Sequence, residues 1–386
     1  MRNDILPEVR LPIETSRGCW WGRKMHCTFC GLNGSSMVYA SKSPARAWQE
    51  VLELARRHSR VDFEAVDNII DMEYVREFLP LAAEARRQGM DFTFFYETKA
   101  NLTHEQVRGM RDAGVNRIQP GIETLSSPIL RLMRKGATAL QNIRLLKWAA
   151  RYGIQVTWNI IYGFPGEPAD EYLRMAGLVP SLVHLKPPAL VRLQLQRFSP
   201  YHQNPSAWGI RITGPAPYYR FVYGLPENDL MEVAYDFTFE YADGRDPETY
   251  VQPLRDAVSL WDDAWRSGGF RSLRYWRGPG FVRIRDLRPG LAKRDYLLSE
   301  LEAEIYLRCE SGATPRAIRE SLAAEDIADL DAGAIRDFLD SLAAMRLLYV
   351  EDGRYLSLAL PSNPEAEVRS SAAPQTLALC LESKSS

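Results

Sequence analysis

The chain has no run of about 18 apolar residues, so none of its helices is expected to cross a bilayer. Its first residues, MRNDILPEVRLPIE, lack the apolar core of a secretory signal. Net charge is almost absent: 48 Lys and Arg oppose 49 Asp and Glu, leaving no global field to draw nucleic acid or an anionic membrane. These absences make the cytoplasm the expected compartment and leave nucleic acid and membrane out of the expected partners. Cysteine is scarce, five in 386 residues. Cys309 and Cys380 stand far apart without paired spacing, which argues against a disulfide framework. They also supply no further cysteine cluster.

The other three cysteines are concentrated. Cys19, Cys27 and Cys30 fall in the run RGCWWGRKMHCTFCGLNG, at C-x7-C-x2-C spacing. Proteins that only shuttle electrons usually give a cubane [4Fe-4S] cluster four thiolates, so three thiolates from one loop leave one iron open to a small molecule. Gly18, Gly22, Gly31 and Gly34 let backbone wrap closely around an inorganic core, and Trp20, Trp21 and Phe29 are placed to shield it. A structural zinc site using His26 is the alternative. His26 abuts Cys27, however, and adjacent side chains rarely reach the same tetrahedral ion.

From residue 11 to about 200, short β-rich runs alternate with amphipathic helical stretches, the pattern of βα units and a parallel sheet. The strands are LPIETS, FEAVDNII, DFTFFYETK, VNRIQPGIE, IQVTWNIIYG and ALVRLQLQRF. Helices are expected at 44–58, capped by Ser43, at 72–88, at 103–112 with Thr103 as cap and His104 solvated, at 126–152 and at 169–184. Six such units suggest an incomplete barrel, in which chemistry sits at the C-terminal ends of the strands. The cysteine loop directly follows the first strand. Polar residues gather at the same end of later strands: Asp67 and Asn68, Glu97 and Lys99, Gln119 and Glu123, then Trp158, Asn159, Tyr162 and Gly163 before the turn FPGE. Packing alone explains such a set poorly, since buried polar groups are costly unless used.

These residues carry a family resemblance. LPIETSRGCWWG, HCTFCGLNG, VDNII, YETKANLT, IQPGIETL, LRLMRKGATALQNIRLLKWA, WNIIYGFPGE, HLKPP and QRFSPY, spread over about residues 11–240, resemble the radical S-adenosylmethionine (radical SAM) superfamily. The likeness is narrower still to enzymes that mature ribosomally made peptides, in the branch of peptide C-methyltransferases. The resemblance implies an α/β fold with a partial (β/α)6 barrel, a [4Fe-4S] cluster on Cys19, Cys27 and Cys30, and S-adenosylmethionine chelating the remaining iron. Its cleavage would give a 5′-deoxyadenosyl radical that takes a hydrogen atom from a precursor peptide, with electrons from a flavodoxin- or ferredoxin-type donor. Carried over by position, Phe29 would lie beside adenine. Asp67 and Asn68 stand where relatives have Gly-Gly-Glu for the methionine amino group. Gln119 and Glu123 would meet the ribose or amino-acid portion, Lys99 the carboxylate, and Asn159, Tyr162 and Gly163 the fifth-strand side of the cofactor. Arg197 and Tyr201 would face substrate.

One departure is large. The methyltransferase branch usually carries a cobalamin-binding domain before the barrel, and only 18 residues precede Cys19, too few for a domain of about 100 residues. Methyl transfer would then need cobalamin from a corrinoid partner chain or from a segment missing at the start. Otherwise the reaction is cobalamin-independent, such as epimerisation or cross-linking.

The expected organisation is a barrel over 1–204, an extension facing substrate over 205–291, a winged-helix-like module over 292–360 and a disordered tail over 361–386. YWRGPGFVRIRDL reads as a hairpin turning near Gly278-Pro279-Gly280. Apolar stripes through Leu298, Leu301 and Ile305, through Ile318 and Leu322, and through Ile335, Phe338, Leu339 and Leu342 give three helices, and RLLYV with RYLSLAL gives a wing turning at Asp352-Gly353. Winged helices often bind DNA, but residues 292–360 hold 8 basic and 14 acidic side chains, a net of −6. Nucleic-acid faces need the opposite sign. Peptide recognition or a cap on the barrel is the favoured role. The rival from a non-enzyme class is a metal-stabilised winged-helix binding protein.

Overall fold

Thr93–Thr98 shows how the sequence sets the sheet. Its side chains alternate, Phe94, Tyr96 and Thr98 buried on one face and Thr93, Phe95 and Glu97 on the other. Phe94 and Tyr96 meet Phe78 on the helical side, with ring centroids 5.6 and 6.5 Å away, so Glu97 points to the opposite face by the period of two. The computed structural model describes residues 9–34, 36–328 and 330–365, and the chain divides into two units, 1–271 with 288–291 and 272–287 with 292–386.

In the first unit, parallel strands β1 (Leu11–Ile13), β2 (Asp62–Ala65), β3 (Thr93–Thr98), β4 (Val115–Pro120) and β5 (Gln155–Val156) lie in sequence order. A second parallel pair follows, β6 (Asn159–Tyr162) with β7 (Ala189–Arg192). The expected fifth strand is therefore broken at Thr157-Trp158. Backbone bonds from Thr157 to the Ile118 carbonyl and from Ile161 to the Glu123 carbonyl carry it along β4 nonetheless. The expected sixth strand also divides: Leu195–Gln196 leaves the barrel for an antiparallel sheet with Asp236–Tyr241 and Ile210–Pro215.

The helix Pro44–His58 begins as expected, Ser43 accepting from the Arg46 amide. The stretch 72–88 is two helices, Met72–Arg76 and Phe78–Arg87. Pro80 has no N–H to return to the Arg76 carbonyl, which breaks the ladder there. The stretch 126–152 is likewise split into Ser127–Leu132 and Ala139–Tyr152, with a Thr138–Gln141 capping box restarting the second. His104 is not solvated. It is 9 % exposed and its Nε2 lies 2.7 Å from the Tyr152 hydroxyl. Glu248–Arg266 packs on Asp170–Leu182, and its fully buried Trp261 donates from Nε1 to the Leu185 carbonyl at 2.9 Å.

The second unit holds the sheet Arg294–Ser299, Phe281–Asp286, Leu273–Gly278 and Leu360–Pro361, then helices Leu301–Arg308, Pro315–Ala324 and Ala332–Ala344 and the hairpin Leu348–Glu351 with Arg354–Ser357. Two boundaries differ from expectation. Residues 273–286, grouped with the barrel extension in the sequence reading, belong here, because Phe281–Asp286 pairs along its whole length with Arg294–Ser299. Leu360 and Pro361, read as the module's end and the start of a tail, pair with Arg274 and Tyr275 and are buried. The rest of the expected tail beyond residue 365, Cys380 included, lies outside the described residues. Among the described residues no helix is long and apolar enough to cross a membrane.

Candidate functional site

The loop after β1 is anchored before it reaches its first cysteine. Asp67, at the end of β2, accepts from the Thr15 amide at 2.7 Å and the Ser16 hydroxyl at 2.8 Å, and also bonds the Thr15 hydroxyl. Asp67 is 1 % exposed, so this carboxylate ties two strand ends together and is not turned to a cofactor. Gly18 has φ +84°, and a Cβ there would stand 2.2 Å from the Val38 carbonyl oxygen, so only glycine fits. Cys19 then caps the short helix Trp20–Lys24, its Sγ accepting from the Gly22 amide at 3.3 Å. Farther on, Gly31 donates to Gln196 Oε1 at 3.2 Å, and a Cβ on it would lie 2.1 Å from the Arg197 carbonyl oxygen. His26, the fourth ligand in the zinc reading, has its Nε2 2.8 Å from the Cys30 carbonyl oxygen.

Cys19, Cys27 and Cys30 line one cavity of about 160 Å³. The same wall includes Phe29, Asn68, Lys99, Gln119, Glu123 and Asn159, six of the nine residues expected to meet the cofactor. Glu97 and Gln119 are cross-strand partners on the inner face of β3 and β4. Glu123 holds φ +57°, a conformation costly for a side chain with a Cβ, and its Oε1 accepts from Lys135 Nζ at 3.1 Å. Lys99 donates to the Lys135 carbonyl at 2.7 Å, with its Nζ 3.3 Å above the centre of the Trp21 ring.

Burial governs the proton affinities here. It pushes Glu97 up to about 7, with help from the Glu123 carboxylate, and Lys99 down to about 8, with help from Lys135. Burial works to lower Lys135 as well, but Glu123 and the neighbouring thiols outweigh it and hold that ammonium above its ordinary value. Burial raises the Cys27 thiol and pushes Cys30 up to about 11. Among the described residues no group of three or more His, Cys, Asp or Glu is arranged to hold a single metal ion.

Besides Asp67, four expected residues lie away from the cavity. The Tyr162 hydroxyl donates to Glu248 at 2.8 Å and accepts from Arg255 at 3.2 Å, on the outer face of β6. Gly163 donates to Glu167 and accepts from the Tyr241 hydroxyl at 2.6 Å. Glu167 also takes the Phe164 amide and the Tyr172 and Tyr250 hydroxyls, so this turn is locked as structure. Arg197 spends its guanidinium on the Ala234 and Met231 carbonyls, and Tyr201 is 1 % exposed against Phe164 and Trp208. Neither lines the cavity. Period-two alternation along β6 puts Tyr162 opposite Asn159, and that signal was available in the sequence.

Lys135 and Asn33 line the cavity without having been assigned a role from sequence. A lysine between an apolar helix and a glycine, in MRKG, is the visible trace of the first. Nothing in the pattern marked the second.

Residues 13–179 match the family model described as the Radical SAM superfamily. An uncharacterized methyltransferase of Pyrococcus horikoshii is 26 % identical over 164 residues, 41 % of this chain and 34 % of that protein. The 4′-phospho-dehydrooxetanocin synthase of Priestia megaterium is 27 % identical over 189 residues, 42 % and 24 %. The chain thus spans about a third or less of the curated relatives' length. In fold it is similar to the radical S-adenosylmethionine methyltransferase TsrM of Kitasatospora setae, at 14 % identity and TM-score 0.51, over 64 % of this chain and 51 % of that one. The segment that matches the radical SAM family model, 13–179, is the one in which the cysteine loop follows the first strand of a parallel sheet.

Proposed function

We propose that the chain is an enzyme that holds a [4Fe-4S] cluster on Cys19, Cys27 and Cys30 and binds S-adenosylmethionine beside it, generating a radical that modifies a ribosomally synthesised peptide. The observation that carries the reading is the donor set: three thiols share one cavity with the Lys99 and Lys135 ammonium groups and the Glu97 and Glu123 carboxylates. A cluster spreads its thiolates over separate irons, so the three sulfurs need only line one cavity, as these do. Gly18 and Gly31, where no Cβ fits, keep the loop closely seated, and the Gly22 amide points at Cys19 Sγ. Bound there, the cluster would supply the electron that splits S-adenosylmethionine into methionine and a 5′-deoxyadenosyl radical. Lys99 offers counter-charge to a carboxylate, and Glu123 with Gln119 offers acceptors to an amino group or a ribose. Trp21, Phe29 and Trp158 narrow the cavity and exclude water.

Peptide C-methylation, with cobalamin from a corrinoid partner, is the form of the reaction we favour, since one curated relative is named a methyltransferase. A flavodoxin- or ferredoxin-type protein would deliver the electron. We read the three helices and hairpin of the second unit as winged-helix-like and assign them to peptide recognition, because the net charge of −6 over 292–360 opposes nucleic acid.

Anaerobic reconstitution tests the core of this reading. About four irons and four sulfides per chain, with dithionite-driven release of 5′-deoxyadenosine, are expected. Zinc binding without that product would sink it and leave the metal-stabilised binding protein. Co-expression with a short precursor peptide encoded nearby, with and without cobalamin, then separates a gain of one methyl group from epimerisation or cross-linking by mass spectrometry.

A further inference from the structure

Beside the cysteine cavity lies a second one of about 510 Å³, which shares Leu32, Asn33 and Asn68 with the first. At the shared wall Asn68 Nδ2 stands 3.5 Å from Asn33 Oδ1, a long contact that leaves both carboxamides with capacity to spare. Asn33 is held in place from behind: a Cβ on Gly22 would come within 2.7 Å of its Nδ2, so the amide lies against the cysteine loop.

The lining has a definite chemistry. Three exposed aliphatic side chains, Leu32, Val38 and Val66, gather there at 58, 71 and 58 % exposure. Its charges are Glu14 and Arg17, and they satisfy one another through two bonds of 2.8 and 2.7 Å. A phosphate, a nucleotide or a charged side chain would meet no uncompensated partner. A carboxamide pair offers a donor and an acceptor together, which is what a peptide unit presents in return.

We infer that this second cavity is the substrate groove, taking an uncharged peptide segment with small aliphatic side chains, and that Asn33 and Asn68 hold one of its peptide units at the neck leading to the cysteine cavity. The inference rests on the reading of the first cavity as the cofactor site, and it adds the side from which the substrate arrives and the residues that select it.

The test uses the full chain with its cluster reconstituted, and calorimetric titration with two capped pentapeptides, one of Ala, Val and Gly and one in which Lys and Glu replace Val. The neutral probe is expected to bind and the charged one to bind at least tenfold more weakly. Val38→Asp and Val66→Asp, both at exposed positions, should each weaken the neutral probe at least tenfold, and Asn68→Leu should do the same. Leu297→Asp, an exposed change in the other unit, should leave it unaltered. Equal binding of the two probes, no binding of the neutral probe by the unaltered protein at millimolar concentration, or neutral-probe binding untouched by Val38→Asp would each overturn the inference. So would a loss confined to hydroxocobalamin binding, which would give the groove to a corrin. Failure to load iron or to bind S-adenosylmethionine defeats the proposed function instead, and is read separately, before any peptide is added.

Discussion

Lys135 in the first unit and Arg308 in the second are both removed from water, with side chains 14 % and 0 % exposed, yet their surroundings differ. Arg308 is surrounded by its own neighbours: Glu304 at 2.6 Å, Glu325 at 2.7 Å and the Ser321 hydroxyl at 3.1 Å. Lys135 has one carboxylate, Glu123, and faces a hollow shared with three thiols and a second lysine. The cysteines divide the same way. Cys309 is fully buried and its Sγ lies 3.5 Å from the Ile305 carbonyl oxygen, whereas Cys19, Cys27 and Cys30 line a cavity. Buried charge that is saturated by protein is architecture. Buried charge that lines a cavity is instead placed where a ligand could reach it.

The sharpest way to break that contrast is at the cysteines. Cys27→Ala is expected to abolish iron loading and 5′-deoxyadenosine release. Cys309→Ala should keep both and lose about 1 kcal/mol of stability, read from urea unfolding, for the small cavity it leaves. Equal loss in the two variants would end the distinction. Next in size is the lysine. Lys135→Met strands Glu123 and should cost about 3 kcal/mol. Adding Glu123→Gln should recover most of that stability while S-adenosylmethionine binding stays at least tenfold weaker, since only a functional role survives the repair.

A third prediction turns on protons. Between about pH 4.5 and about 7 the folded chain holds a proton on Glu97 that the unfolded chain has released, so this group makes stability fall as pH rises through that window. Glu97→Gln should flatten the apoprotein's unfolding midpoint across it, measured in urea at a series of pH values. The smallest effect is reserved for Tyr162→Phe. It loses hydrogen bonds to Glu248 and Arg255 and should cost about 1 kcal/mol with no change in 5′-deoxyadenosine yield. A large drop in yield would return Tyr162 to the cofactor.

The parallel strands were legible because short β-rich runs alternate with amphipathic helical stretches, and the cysteine loop because its spacing is chemically specific. The side chains at the strand ends were legible only in part. Asn68, Gln119 and Asn159 stand on the cavity side, but Asp67, one residue from Asn68, turns back to Thr15 and Ser16. Adjacent residues in an irregular segment differ in direction for reasons that lie fifty residues away, and no local pattern carries that. Residues 273–286 show the same limit on a larger scale. The hairpin itself could be read from Gly278-Pro279-Gly280, while its allegiance to Arg294–Ser299 depends on pairing that the hairpin's own residues do not announce.

The cysteine loop has one more consequence. The parallel strands form an open arc, and among the described residues β1 and β7 share no backbone ladder. What spans the gap is the loop: Gly31 reaches Gln196, and the Tyr201 amide reaches the Thr28 carbonyl at 3.1 Å. The loop therefore acts as a clasp on the arc. If the loop holds the proposed cluster, loss of its iron is expected to loosen this seam, read as faster hydrogen exchange at the amides of Gly31 and Tyr201.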